Sequence, residues 1–499
     1  MQRFFVKNIL FTIAVNLLVK PVWVLVIDRS VQNTVAAASY GTYQALFSLG
    51  IIFQTLLDFG ISNYNSKTIA ANPERLPELF PAMLSARLVL MCIYIAIAYT
   101  WGYILGYRGW ELGLLAGILL IHSLNALLSF IRSNVSALHR FKTDALLSIT
   151  DRTLMILICG FLLLYPPTAR AFRIQWFVIA QVVCYFVAAG MGYVILRRIG
   201  RVKLRFSFSM PEILSVMRSS FPYALLIFLM SVYNRADAVM IERLSADGKA
   251  QAGIWAAAFR LLDMANILGL MFATMLLPLF GRMLAQKDDV RPIVRLCVNM
   301  MLPFSVVVAV AALFFGGDIM YLLYHKGELY ATQHVSYHMV FSCLMLSFPA
   351  WCLMYVYSTL LTANGSMRAL NTIALCGVVF NLALNYWLIP QYKAFGGAIT
   401  SLATQTALAL AFMVVAIRII KLPLNLRWTL AHIGYALLVL ALGYGLTVVW
   451  HAARPVQFAV FGGVCMALMF VFRFISIGDI KKLANRQTAS GDTTDVAAM

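Results

Sequence analysis

The feature that most constrains this chain is the recurrence of long apolar runs that contain almost no charge. A helix needs roughly 20 mostly apolar residues to cross the hydrocarbon of a bilayer, and only a helix or a closed barrel satisfies its own backbone there. Runs of that length are predicted at 7–27, 39–60, 79–101, 111–136, 146–165, 174–196, 218–242, 252–280, 293–315, 333–362, 367–389, 396–418, 428–449 and 456–475. The chain is 62% hydrophobic and 12% charged. Soluble domains sit near about 45–50% and about 25%, and a soluble core cannot absorb the excess. The fold class is therefore an all-α polytopic membrane protein with 14 transmembrane helices.

Net charge is +20 over 499 residues. In a soluble protein this would suggest nucleic acid, but here Lys and Arg concentrate in alternate connections, as membrane orientation requires. If the N-terminus is cytoplasmic, most of them fall on the inner side, and an even span count returns the C-terminus there. Both termini are thus expected in the cytoplasm. The basic, apolar start runs through Lys20 and Pro21 without a small-residue cleavage site, so it reads as an uncleaved first span. The eight cysteines lie inside apolar runs with no C-x-x-C, as small buried hydrophobes would. No nucleotide, hydrolase or zinc-protease motif is present, and neither cofactor nor metal is expected; His325, His334 and His338 lack an accompanying thiol or carboxylate.

An internal repeat organises the spans. Gly41-Thr42-Tyr43-Gln44-Ala45-Leu46-Phe47-Ser48-Leu49 and Gly253-Ile254-Trp255-Ala256-Ala257-Ala258-Phe259-Arg260-Leu261 both read G-x-aromatic-x-A-x-F-x-L. Each opens the second span of a six-span block. Two six-helix lobes around a central cavity, plus two C-terminal helices, are the expectation, with the lobes related by an axis along the membrane normal. The boundaries are 1–196 for the N-lobe, 197–217 for a basic cytoplasmic linker and 218–418 for the C-lobe. Helices 13 and 14 occupy 419–475, and 476–499 is a disordered tail. Within the linker, Ile213, Leu214, Val216 and Met217 have helical spacing, which suits an interfacial helix or a solvated connection.

Ionisable residues inside spans are costly and become functional candidates by default. Lys20 lies two-thirds of the way out along span one, with Asn16 and Trp23 on its side. Span seven carries Arg235 and Asp237, about 200° apart on a helix, and span eight carries Arg260 and Asp263 on one face. All reach a similar depth. Three bases against two acids would suit a phosphate or pyrophosphate, which Lys and Arg bind well. The competing reading is a set of neutralised pairs locking spans seven and eight, Asp237–Arg260 being one such pair. Asp58, Arg87, Arg132, Asp151 and Arg152 are expected to form boundary pairs near the cytoplasmic ends of the first lobe.

Four segments in register carry a family resemblance: Tyr40 to Ser62, Asn234 to Ile241, Ala252 to Asp263 and Asn385 to Thr400. Together they resemble the polysaccharide-transporter and O-antigen flippase proteins of the multidrug/oligosaccharidyl-lipid/polysaccharide exporter superfamily. The resemblance implies alternating access and movement of a polyprenyl-pyrophosphate-linked oligosaccharide between leaflets. It implies substrate-binding roles for Arg235 and Arg260; Lys20 joins them on depth and charge alone, and Asp237 and Asp263 become cavity ion pairs or coupling residues. Expected partners are the lipid-linked oligosaccharide, membrane lipids and a polysaccharide polymerase, for a monomer. A lipid II flippase or a cation-coupled multidrug antiporter is the alternative, although span one lacks the antiporter carboxylate. A membrane-embedded polymerase or glycosyltransferase is disfavoured by short outer connections, the longest offering only Asp318, Lys326 and Glu328.

Overall fold

The computed structural model describes residues 19, 21–62, 65, 68–69, 72–138, 140–202, 210–422, 426–450, 452–472 and 474, without the side chains of 141, 210–216, 219, 268 and 328. Every regular element among these is helical. Helix α1 is π-wound over Trp23–Asp28 and continues as Arg29–Thr34, and α2 is Ala37–Phe53. There follow α3 (Leu76–Ile104), α4 (Trp110–Ala137), α5 (Phe141–Leu164) and α6 (Ile174–Gly200). The second set is α7 (Met210–Leu244), α8 (Gly248–Ala285), α9 (Arg291–Tyr324) and α10, which spans Glu328–Leu346 and resumes as Phe348–Ala363. The run Met367–Ile420 holds two crossings, α11 (367–392) and α12 (394–420), reversed at Lys393. Helix α13 (Leu426–Tyr444) ends in a π-wound turn, Gly445–Val449, and α14 is Arg454–Val471.

Eleven described helices are long and apolar enough to cross a membrane, and one of them contains both α11 and α12. With α1 and α2 they make the fourteen crossings expected of an all-α polytopic membrane protein. The apolar runs of the sequence locate these helices well because apolar length alone sets a crossing. The linker differs from expectation: residues 203–209 lie outside the described residues, while Met210 to Met217 are the opening turns of α7 rather than a separate interfacial helix. The tail 476–499 also lies outside them.

Buried side chains gather along the two repeats. Trp23, Tyr43, Tyr94, Leu115 and Phe177 centre the first lobe, with Phe80 and Phe130 in a neighbouring cluster beside Leu138. Tyr233, Trp255, Phe341 and Trp351 centre the second. Helices α13 and α14 stand apart, packing Tyr435, Phe461 and Cys465 against Val310 and Phe315 of α9.

Inside a bilayer hydrophobicity does not draw helices together, so small residues that permit close approach do. The repeat motifs supply them. A Cβ on Gly41 would overlap the Lys249 carbonyl and lie 2.7 Å from the Gly253 nitrogen; one on Gly253 would lie 2.5 Å from the Ala37 carbonyl oxygen. Each glycine rests on the backbone one turn before the other, so α2 and α8 cross reciprocally, as lobes related by a two-fold pseudo-axis must.

Helix α2 stops short. After Phe53 it tightens into a 3-10 turn, Gln54–Leu57, then reverses through Phe59 (φ 41°) and Gly60 (φ 82°). Buried Arg87 holds this break: it pairs with Asp58 and donates to Ser62 Oγ at 2.7 Å and to the Ala126 carbonyl at 3.0 Å. The expected boundary pairs are thus realised as Arg87–Asp58, Arg132–Asp144 at 2.8 Å and Arg152–Asp151 at 3.5 Å.

Candidate functional site

Arg235, Asp237, Arg260 and Asp263 each find a partner, and the partners divide between the lobes. Arg235 donates to both carboxylate oxygens of Asp263, at 3.1 and 3.3 Å. Its guanidinium also lies 4.9 Å from the centre of the Phe259 ring. The pair stays within the second lobe and is partly exposed, 19% and 31% for the two side chains, so an incoming ligand can reach it. Arg260, one turn earlier on α8, turns the other way. It pairs with Asp28 of α1 at 3.1 Å and lies 5.6 Å from the Phe47 ring. Phe47 and Phe259 occupy the same place in the two repeat motifs.

Asp28 is buried at 3% exposure and also accepts the Tyr40 hydroxyl at 2.9 Å. The network extends into the first lobe: Gln181 donates to the Tyr43 hydroxyl at 3.2 Å, and Phe177 packs between Tyr43 and Trp23. Arg152 sits over Trp23 at 5.3 Å and over Tyr185 at 6.0 Å. Arg152, which the sequence assigns to a boundary pair, therefore reaches the same buried aromatic network as Arg260.

Asp237 does not meet Arg260, contrary to the pairing that depth suggests. One buried face of α7 turns it toward α11 and α12, where neutral donors replace a cation. Asn385 Nδ2 donates to its Oδ1 at 2.6 Å and Asn381 Nδ2 at 3.1 Å. Asn381 also reaches Thr404 Oγ1 at 3.5 Å. All four side chains are buried. Asp237 Oδ2, Asn385 Oδ1 and the hydroxyl of nearby Thr400 have no hydrogen-bond partner among the described residues. This is a buried polar pocket with one carboxylate held by neutral amides. Sequence reasoning misses its asparagines, because charge marks a span residue as costly and a neutral amide carries no such mark.

Lys20 lies outside the described residues. For the remainder the balance of charge changes: Asp28 belongs to the cluster, so Arg235 and Arg260 each face an acid. The surplus of positive charge expected from three bases and two acids does not rest on these two arginines as they stand.

Polar contacts close the lobes together at the end bearing the turns 105–109, 245–247 and 325–327. Arg29 donates to the Leu323 and Leu322 carbonyls at 2.6 and 2.9 Å, and Asn33 to Leu323 at 3.0 Å. Gln32 donates to the Gly253 carbonyl at 3.0 Å, and Lys249 pairs with Glu111 at 2.6 Å. Tyr107, whose burial pushes its phenol above the usual range, donates to Glu242 at 2.8 Å beneath Arg243. At the opposite, basic end the lobes still touch along α2 and α7, with Phe53 and Phe228 at 6.4 Å.

A family model described as polysaccharide biosynthesis protein matches residues 5–284, and one described as MatE matches residues 222–387. No curated protein matches the chain. Among solved structures it is similar to a lipid II flippase, MurJ, in an inward closed conformation, with TM-score 0.69 and 14% identity over 93% of this chain and 98% of that one. It is also similar to an inward-facing multidrug resistance MATE family transporter, with TM-score 0.62 and 13% identity over 79% and 94%. A Vibrio cholerae MATE transporter, VcmN, gives TM-score 0.56 and 15% identity over 83% and 95%. At these identities the likeness is one of fold.

Proposed function

The chain belongs to the family of polysaccharide biosynthesis proteins, within the multidrug/oligosaccharidyl-lipid/polysaccharide exporter superfamily, and on that premise we propose that this multi-pass membrane transporter flips a polyprenyl-pyrophosphate-linked oligosaccharide between leaflets. The observation that carries the reading is Arg260 on α8 joined to Asp28 on α1 at 3.1 Å, beside the partly exposed pair Arg235–Asp263. A pyrophosphate offers the arginines more charge and more acceptor oxygens than one carboxylate does. Bound there, it displaces Asp28 from Arg260 and removes an ion pair between the lobes.

A ligand shifts a conformational equilibrium only by its differential affinity for the two states. The pyrophosphate supplies that difference, because it and Asp28 compete for one guanidinium. Releasing Asp28 loosens the end of the molecule that Arg29, Asn33, Gln32 and Tyr107 hold shut. We place that end outside, because the opposite end holds most of the Lys and Arg. The reading includes an inner membrane, both termini in the cytoplasm, a monomer, a polysaccharide polymerase as candidate partner, and the lobe and linker boundaries 1–196, 197–217, 218–418 and 419–475. Lys20 remains a substrate-binding candidate within it. Asp237, buried and paired with neutral amides rather than with an arginine, takes the coupling role, holding a proton or a hard monovalent cation.

In vesicles loaded with a lipid-linked oligosaccharide, Arg260→Gln and Arg235→Gln should each lower translocation at least about tenfold, the effect expected when a charged hydrogen bond to the ligand is lost. Exchange of the pair, Arg235→Asp with Asp263→Arg, should restore folding but not transport. Full transport by either single variant, or by the exchanged pair, would sink the assignment. A cation-coupled multidrug antiporter is the second reading, favoured by the Asp237 pocket; export of an ethidium-like cation with no glycan movement would select it.

A further inference from the structure

The basic ends of α7, α11 and α12 border an open cavity of about 690 Å³, lined by Phe221 and Leu225 of α7, Arg368 and Asn371 of α11 and Ile419 of α12. None of Arg235, Asp263, Arg260 and Asp28 lines it, so it is separate from that cluster. Asn371 Nδ2 donates to the Pro222 carbonyl at 3.1 Å and fixes α11 against α7 at this level.

The rim and the floor differ in chemistry. On α7 Arg218, Phe221, Pro222 and Leu225 recur at i, i+3, i+4 and i+7, which places them on one stripe of the helix. Arg218 therefore stands one turn beyond the apolar lining, on its water side. Arg218 and Arg368 are both exposed, and neither makes an ion pair among the described residues. Beneath them Phe221 is 54% exposed, and Leu225 and Ile419 continue the apolar wall.

Two exposed guanidinium groups with no acid partner among the described residues, above an apolar recess at the ends of membrane-crossing helices, match a molecule with an anionic head and a hydrocarbon body. A free phosphate would use the rim and leave the recess empty. A neutral lipid would use the recess and leave the arginines without a counter-ion. The volume falls within the roughly 300–1,000 Å³ typical of small-molecule sites, enough for a headgroup and the first part of one chain. We propose that this cavity is a binding site for an anionic phospholipid of the leaflet on the basic side, its phosphate on Arg218 and Arg368 and an acyl chain along Phe221, Leu225 and Ile419.

The full-length protein, purified from nanodiscs containing phosphatidylcholine and phosphatidylglycerol, tests this by native mass spectrometry and thermal unfolding. Wild type should retain one phosphatidylglycerol in preference to phosphatidylcholine. Arg218→Gln with Arg368→Gln should lower that retention about tenfold or more, since it removes both cations that would hold the phosphate over the recess. Arg197→Gln with Arg198→Gln, basic residues of the same end but outside the cavity, should leave it unchanged. Leu225→Trp, which fills the recess and spares both arginines, should also expel the lipid. Equal retention by the Arg218/Arg368 variant, equal loss in the Arg197/Arg198 control, or no effect of Leu225→Trp would overturn the proposal. So would stabilisation of the delipidated protein by inorganic phosphate alone to the same degree as by phosphatidylglycerol.

Discussion

Lys393 carries a side chain where the backbone favours none. At φ 54° and ψ −133° it lies outside the small left-handed well open to ordinary residues. Such a position costs roughly 1–3 kcal/mol. In exchange its ammonium pairs with Asp247 at 3.1 Å across the turn between α7 and α8. With side chains 49% and 36% exposed, that pair returns under about 1 kcal/mol. Lys393→Gly should therefore raise the thermal unfolding midpoint in detergent, by a net of about 1 kcal/mol after the entropy glycine adds to the unfolded chain; a fall would show that the ion pair outweighs the backbone strain. Partial burial pulls the Asp247 carboxyl upward, but the donors Gln251 and Lys393 hold it below its ordinary value. A depressed carboxylate stabilises above its unfolded pKa and loses that contribution as pH falls through the folded one. This turn should thus loosen only in acid, and Asp247→Asn should remove the effect. None of this is visible in the sequence, where Lys393 reads as one more basic residue in a loop.

At the scale of elements, the crossing of α2 and α8 and the Asp237 pocket between α7, α11 and α12 are the two features that the proposed transport cycle uses. Gly41 and Gly253 let two backbones touch, so Gly41→Leu should force the closed end apart. Cysteine labels placed on either side of the Tyr107–Glu242 contact should then gain accessibility to an aqueous reagent, with the protein level maintained; unchanged labelling would mean that the crossing tolerates the side chain. In the pocket, Asn385→Leu removes the 2.6 Å donor to Asp237. A hydrogen bond to a buried charge contributes about 1.5–3 kcal/mol, so the ionised carboxylate becomes untenable there. Transport should lose its response to an imposed cation or proton gradient; a gradient response equal to wild type would remove Asp237 from the coupling role. The repeat motif is legible in the sequence because it is a string of residue types at fixed spacing. The pocket is not, because Asn381, Asn385 and Thr404 acquire meaning only when α11 and α12 fold back beside α7.

Over the whole molecule, the two lobes meet through backbone carbonyls and buried acids at one end, while basic residues crowd the other. If that second end faces the cytoplasm, reporter domains fused at either terminus should be active only in the cytoplasm; an active periplasmic reporter at the C-terminus would reverse the proposed orientation or the even number of crossings. The crossings, their number and the two-lobe arrangement are all available from the sequence, because apolar length and charge between spans act locally and need no partner to be read. Which acid meets which arginine is not available there. Depth places Arg235, Asp237, Arg260 and Asp263 in one layer, but the direction of each side chain depends on the rotation of its helix against neighbours far along the chain. Asp28, at the end of its apolar run, lies within 3.1 Å of Arg260 only because the fold brings α1 within side-chain reach of α8, more than two hundred residues further along the chain.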